Sequence, residues 1–135
     1  MAHILYASRS VYFNKPYEDF LQSKGHRVIH VDSFPAAMRH VQDRRFDLVI
    51  TEVLLRESPL DSVRIGIHYC SGLNLIDIMR QDGPNKDTPV VVHSVLGKEM
   101  IDGELEKRGI TIHLQMHVEM EDLEASVEAG LAGRQ

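Results

Sequence analysis

The stretch Phe46-Asp47-Leu48-Val49-Ile50-Thr51-Glu52 decides how this chain folds. Its apolar side chains run continuously instead of alternating with polar ones, which is typical of a parallel strand that helices cover on both faces. A carboxylate follows at once, at Glu52. Ligands and chemistry collect beyond the carboxyl ends of the strands in an open α/β sheet, so Glu52 is the first candidate for a functional residue.

Similar apolar runs recur along the chain, and helix-like stretches separate them. The five runs cover residues 4–7, 27–31, 47–51, 89–93 and 110–116. Asn14 and Ser33 are expected to cap the first two helices. We expect the third and fourth helices over about residues 72–80 and 98–107, and a frayed tail over residues 130–135. Strands that alternate with helices predict an α/β fold with five βα units and a parallel sheet.

Size and composition describe one ordinary globular domain. The 135 residues are close to the commonest domain length, and we expect a single domain over residues 1–135. A net charge of −5 argues against nucleic acid as a partner, because phosphate binding needs clustered basic residues. The sequence shows no signal peptide and no apolar run long enough to span a membrane. We therefore expect a cytoplasmic protein.

One interval departs from this rhythm. Between the third strand and the third helix, an extended loop over residues 54–71 shows neither helical nor strand periodicity. Connections inside compact domains are usually shorter, so this loop is either functional or a tolerated surface insertion. It contains the single cysteine, Cys70, which is either a reactive thiol or a buried, incidental one. The second interpretation is preferred because the adjacent His68 and Tyr69 offer no convincing base.

Three motifs resemble those of the receiver domains of bacterial two-component response regulators. They are Asp47-Leu48-Val49-Ile50-Thr51-Glu52, Gly72-Leu73-Asn74-Leu75-Ile76 and Thr88-Pro89-Val90-Val91-Val92-His93-Ser94. Residues 121–127 also resemble the start of the last helix of a receiver, so the resemblance covers nearly the whole chain. It implies a flavodoxin-like (βα)5 three-layer sandwich whose parallel five-stranded sheet has the order 2-1-3-4-5.

A working receiver has four chemical parts: an acidic pair after the first strand, an acceptor Asp after the third, a hydroxyl after the fourth and a Lys after the fifth. The resemblance assigns Ser94 to the hydroxyl and Glu52 to the phosphoacceptor position. Ser8 and Arg9 stand where the acidic pair belongs, and Met116 stands where the lysine belongs. Mg²⁺ prefers anionic oxygen ligands, so we expect no metal and no cofactor here.

These departures indicate a degenerate pseudo-receiver. The implied function is phosphorylation-independent signalling through protein–protein interaction, without enzymatic activity, with a kinase, adaptor or output protein as the partner. Receivers commonly use the face of the fourth helix, fifth strand and fifth helix for partners and homodimers. In this chain that face is expected to carry Ile101, Leu105, His113, Gln115, Glu119 and Glu124. Two alternatives stay open: a phosphorylatable receiver with atypical acceptor chemistry, and a small-ligand or redox module of flavodoxin type.

Two interpretations of Glu52 also stay open. Glu52 could be a fixed negative charge that crudely imitates a phosphorylated Asp, held by a hydrogen bond from Ser94 or paired with Arg9. It could instead be a solvated residue left at the sheet edge after the chemistry was lost. The turn Ser8-Arg9-Ser10 could cradle a phosphate, but it lacks the glycines that allow close backbone approach.

Eight histidines raise the question of a metal site. His93, His113 and His117 lie at or near the ends of the fourth and fifth strands. On a strand, however, residues 113 and 117 are about 13 Å apart, at roughly 3.3 Å per residue. We therefore expect exposed histidines without a special role.

Overall fold

The computed structural model describes residues 1–133 and confirms the alternation of strands and helices. The strands are β1 (His3–Ala7), β2 (Arg27–Val31), β3 (Leu48–Thr51), β4 (Val63–Ile65), β5 (His68–Cys70), β6 (Val90–Ser94) and β7 (His113–Gln115). The helices are α1 (Lys15–Ser23), α2 (Phe34–Asp43), α3 (Ser71–Gln81), α4 (Lys98–Lys107) and α5 (Met120–Ala132). The predicted domain extends to residue 135, so its last two residues lie outside the described part.

The central sheet has the predicted order. Five parallel strands pair as β2-β1-β3-β6-β7, while β4 and β5 form a separate two-stranded sheet. When β4 and β5 are set aside, this is the order 2-1-3-4-5. One hydrophobic cluster lies between the sheet and α2, α3 and α4, and a second lies between the sheet and α1 and α5. The flavodoxin-like three-layer sandwich is therefore confirmed.

The middle strand explains why the sheet holds together. Every residue of β3 is buried, because its continuous apolar run meets a helical layer on each face. Its neighbours β1 and β6 are almost as deeply buried. All five strands are parallel, so their carboxyl ends share one edge of the sheet, which we call the rim. Residues 8, 52, 94 and 116 lie at or just after strand ends on this rim.

The interval over residues 54–71 contains strands. The prediction of a loop without strand structure is therefore wrong. The interval contains the antiparallel hairpin β4–β5, in which Val63 pairs with Cys70 and Ile65 with His68. Three-residue strands are too short to show a periodicity in the sequence. Cys70 is fully buried, and burial raises the pKa of its thiol, as expected for the incidental cysteine.

The helix ends agree with the predictions only in part. The Ser33 hydroxyl accepts a hydrogen bond from the Ala36 backbone N–H at 3.2 Å, which confirms this cap. Asn14 occupies the cap position of α1, but its side chain makes no capping hydrogen bond. The tail predicted to fray from residue 130 is helical as far as Ala132, and residues 134 and 135 lie outside the described part. Within residues 1–133, no helix is long and apolar enough to cross a membrane.

Candidate functional site

A cleft of about 310 Å³ opens at the rim of the sheet. Its walls come from the segments that follow β1, β3, β6 and β7, which the parallel topology brings together. The lining residues are Arg9, Ser10, Phe13, Asn14, Glu52, Arg56, Val95 and Met116. We call this the rim cleft.

Glu52 lies in the rim cleft but is only 4% exposed, so the interpretation of a solvated residue is wrong. The Arg9 backbone N–H donates a hydrogen bond to Glu52 Oε2. Burial raises the pKa of the Glu52 carboxyl, although this N–H and the Arg9 charge oppose the rise. A fixed charge at this position is therefore held in an environment that disfavours it.

Close packing against α3 fixes the position of the Glu52 backbone. The Gly72 backbone N–H donates to the Val53 carbonyl at 2.8 Å, which brings the start of α3 against the end of β3. A Cβ atom at Gly72 would collide with the Glu52 backbone carbonyl. A glycine is required here because the two backbones approach so closely.

Two arginines lie at the mouth of the rim cleft. Both Arg9 and Arg56 are exposed, and Arg56 Nε donates to the Arg9 carbonyl oxygen at 2.8 Å. In the described chain, Arg9 contacts Glu52 through its backbone N–H and not through an ion pair of its guanidinium group. The predicted pairing of these residues is thus replaced by a backbone contact. Arg56 lies in the interval over residues 54–71, which was predicted to be a loop.

Ser94 is buried and bonded within its own loop. Its hydroxyl accepts a hydrogen bond from the Leu96 backbone N–H at 3.0 Å. Among the described residues, Ser94 and Glu52 form no hydrogen bond, so the structure does not contain the contact considered for holding Glu52. The place of Ser94 at the end of β6 agrees with its assignment, but its role as the switch hydroxyl stays a prediction.

Ser8 points away from the rim cleft. It is fully buried, and its hydroxyl lies 2.7 Å from His30 Nε2, while His30 Nδ1 lies 3.0 Å from Glu18 Oε1. Of the two residues assigned to the acidic pair, only Arg9 lines the cleft. No local pattern reveals this network, because Ser8 and His30 are 22 positions apart.

Met116 lines the rim cleft, as its assignment to the lysine position predicts. Its backbone N–H donates to the Ser94 carbonyl at 3.1 Å and so extends the pairing of β6 with β7. The side chain brings apolar surface and no charge. Whether Met116 replaces a lysine stays a prediction.

Asn14 is a cleft residue that the sequence did not reveal. It is 1% exposed, and Asn14 Oδ1 has no hydrogen-bond partner in the part of the chain that the structure describes. Its position before α1 suggested only a helix cap, so its contribution to the cleft was not predicted. Phe13 and Val95, which are partly exposed, complete the apolar wall.

The three histidines considered for a metal site lie in different surroundings. His93 is fully buried, so the expectation of an exposed histidine is wrong for this residue. Its Nδ1 lies 2.7 Å from the Tyr6 hydroxyl, and burial lowers the pKa of His93 to about 4. His113 contacts Asp102 at 3.2 Å, whereas His117 is exposed. Within residues 1–133, no cluster of three or more His, Cys, Asp or Glu side chains could hold a metal.

The face predicted for partners carries a second, larger depression. Ile101 and Leu105 do not belong to this face, because α4 turns them into the core, where they are at most 2% exposed. Gln115 and Glu119 are exposed as expected. A groove of about 470 Å³, here called the β7 groove, is lined by Lys98, Ile112, His113, Leu114, Gln115, Val118, Asp122, Ala125, Ser126 and Ala129.

Comparison with known proteins identifies the fold. No protein-family model and no curated protein matches the chain. Among solved structures, the chemotaxis response regulator CheY4 of Vibrio cholerae aligns with 97% of this chain and 99% of its own, at 21% identity and a TM-score of 0.79. A CheY-like receiver domain protein from Methanospirillum hungatei JF-1 aligns with 99% of this chain and 96% of its own, at 11% identity and a TM-score of 0.82. The chain has the fold of response regulator receiver domains.

A third similar structure shows what a receiver fold can hold at this edge. The receiver domain of the sensor histidine kinase PA1611 from Pseudomonas aeruginosa PAO1 aligns over 98% of both chains, at 15% identity and a TM-score of 0.79. That protein has a magnesium ion coordinated in its active site cleft. The residues of the present receiver fold do not fit this ion. The rim cleft offers one carboxylate, already bonded to Arg9, beside two guanidinium groups, whereas Mg²⁺ needs anionic oxygen ligands.

Proposed function

We propose that this receiver-like domain is a phosphorylation-independent signalling module that acts by binding a partner protein in the cytoplasm, without enzymatic activity. The observation that carries the proposal is the charge of the rim cleft. Glu52 is the single carboxylate among its lining residues, and Arg9 and Arg56 are cationic. The partner would be a kinase, an adaptor or an output protein.

The chemistry of phosphoryl transfer supports this proposal. Transfer to a carboxylate depends on positioned positive charge, usually a metal ion, that neutralises the phosphoryl oxygens. Ser8, which stands at an acidic-pair position, is turned away and bonded to His30. Met116 supplies no charge, and the Ser94 hydroxyl is engaged with its own loop. The remaining groups do not assemble a site for the reaction.

A direct experiment separates this function from the alternative of a receiver with atypical acceptor chemistry. The protein is incubated with Mg²⁺ and acetyl phosphate and its intact mass is measured, with a phosphorylatable receiver as the positive control. We expect the positive control alone to gain a phosphoryl group. A phosphoryl adduct that the Glu52→Gln variant lacks would refute phosphorylation independence.

The β7 groove is the surface we propose for the partner. It lies beside β7, an edge strand of the central sheet, and edge strands leave backbone groups free to pair with another chain. Its lining combines apolar side chains with Lys98 and Asp122, so it offers contacts of both charges. A homodimer through the same face is the second form of this proposal.

A further inference from the structure

We propose that the rim cleft binds a small zwitterion, an apolar α-amino acid, whose ammonium group contacts Glu52 and Asn14 and whose carboxylate contacts Arg56. This inference does not depend on the identity of a protein partner. It rests on three properties of the cleft: incompletely satisfied acceptors in its floor, cations at its mouth and apolar walls between them.

The floor of the rim cleft carries acceptors that its own donors satisfy only in part. Asn14 Oδ1 is buried without a hydrogen-bond partner among residues 1–133, and buried polar atoms normally have one. Glu52 Oε2 accepts from the Arg9 backbone N–H, while the same carboxylate is 4% exposed and its charge is poorly solvated. An ammonium group carries three N–H donors and a positive charge, which complement an amide oxygen and a carboxylate.

The mouth of the cleft supplies the complementary charge at a fitting distance. Arg9 bonds Glu52 through its backbone N–H and Arg56 through its carbonyl oxygen. Those two backbone atoms are about 3 Å apart, so Glu52 and the Arg56 guanidinium lie within about 9 Å of each other. In a free α-amino acid, the ammonium nitrogen and the carboxylate oxygens are separated by the same N–Cα–C–O atoms as the N–H and carbonyl oxygen of Arg9. Such an amino acid can therefore bridge the remaining atoms of Glu52 and Arg56.

Charge and shape argue against simpler ligands. A lone cation would meet the guanidinium groups of Arg9 and Arg56, and a lone anion would meet the Glu52 carboxylate. The side chains of Phe13, Val95 and Met116 form the apolar wall and favour an aliphatic or aromatic side chain. A volume of about 310 Å³ lies at the lower end for small-molecule sites, as suits one amino acid.

Removing one ligand charge at a time tests the proposal without changing the protein. Isothermal titration calorimetry is performed with L-leucine, L-methionine and L-phenylalanine, and then with leucinamide, N-acetyl-leucine and Mg²⁺ alone. We expect at least one of the three amino acids to bind and both blocked leucine derivatives to bind at least about tenfold more weakly than L-leucine. Equal affinity for leucinamide would indicate a peptide N-terminus, and equal affinity for N-acetyl-leucine a peptide C-terminus. Either result, or no binding of any of the three amino acids, overturns the proposal.

Variants connect each ligand charge to its residue. Glu52→Gln should weaken L-leucine about tenfold and leave N-acetyl-leucine unchanged, because that compound has no ammonium group. Arg56→Ala should weaken L-leucine and leave leucinamide unchanged. Arg39→Ala, an exposed arginine of α2 outside the cleft, is the matched control and should bind like the wild type. If the cleft variants also bind like the wild type, the amino acid is held elsewhere and the assignment is wrong.

Discussion

The fold buries the carboxylate of Glu52, and its hydrogen bond from the Arg9 N–H only partly offsets the loss of solvation. Burial raises the pKa of the Glu52 carboxyl, so the folded state favours the protonated form more than the unfolded chain does. That contribution to stability is fully present below the pKa of the unfolded chain, 4.5, and is lost as the pH rises through the higher pKa of the folded state. At neutral pH the charge of Glu52 therefore costs stability.

A neutral isostere should remove this cost. We predict that Glu52→Gln raises the free energy of unfolding at pH 7 by about 1 kcal/mol, since the amide oxygen still accepts the Arg9 N–H and no charge is desolvated. The difference from the wild type should disappear below pH 4.5. Urea denaturation at both pH values measures it. A variant that is less stable than the wild type at pH 7 would show that the charge is stabilising.

His93 should make the domain sensitive to acid. Burial lowers its pKa from 6.5 to about 4, so below pH 6.5 the unfolded chain binds a proton that the folded one does not. Protonation of His93 should not lower the free energy of unfolding above pH 6.5. The free energy of unfolding should fall by about 3 kcal/mol as the pH drops to 4, at 1.36 kcal/mol per pH unit. The free energy of unfolding is measured across this range.

The matched variant is His93→Gln, which keeps an acceptor for the Tyr6 hydroxyl but cannot titrate. Its stability should depend less steeply on pH between 6.5 and 4. The free energy of unfolding of this variant should still depend on pH to some extent, because burial also lowers the pKa of His30. Identical slopes in the two proteins would contradict the assignment to His93.

At the scale of elements, the contact between β3 and α3 holds the floor of the rim cleft. Gly72 permits it, and a Cβ there meets the Glu52 backbone. We predict that Gly72→Ala lowers the free energy of unfolding by about 3 kcal/mol, because backbone must move to relieve the overlap. Gly103→Ala in α4 is the control. Its Cβ has no neighbour within 4 Å, so alanine should raise stability by about 0.5–1 kcal/mol. Equal effects would show that α3 is not tightly packed here.

The fold was predictable because it depends on patterns that repeat within single elements. The continuous apolar run of β3 and the Ser33 cap of α2 are local signals, and the structure confirms both. The hairpin β4–β5 was missed because its stability comes from packing under α3 and not from its own short strands. Ile101 and Leu105 were assigned to the wrong face because α4 has a weak pattern.

The site was less predictable because it depends on the direction of side chains after folding. The resemblance to receiver domains assigned Glu52 and Met116 to one site, and both residues line the rim cleft. The sequence did not show that Ser8 turns toward His30, or that the Asn14 side chain makes no capping hydrogen bond. These outcomes are decided by contacts between residues far apart in the chain, which local spacing does not encode.

At the scale of the whole molecule, the rim cleft and the β7 groove both border the turn between β7 and α5. Met116 lines the cleft, while Gln115 and Val118 line the groove, so both surfaces border the turn between β7 and α5. A ligand that orders this turn would act on both surfaces at once. The two proposed binding surfaces therefore lie on either side of the same turn.

The groove itself can be tested by filling it. We predict that Ser126→Arg lowers retention of partner proteins about tenfold, because the long side chain occupies a lining position of α5. Ser126 is partly exposed, so unfolding stability should change by no more than about 0.5 kcal/mol. Gln42→Arg adds the same group on the exposed face of α2 and should retain partners like the wild type. Quantitative mass spectrometry of proteins bound to each immobilised form makes the comparison. Partners that both variants retain equally would place the docking surface elsewhere.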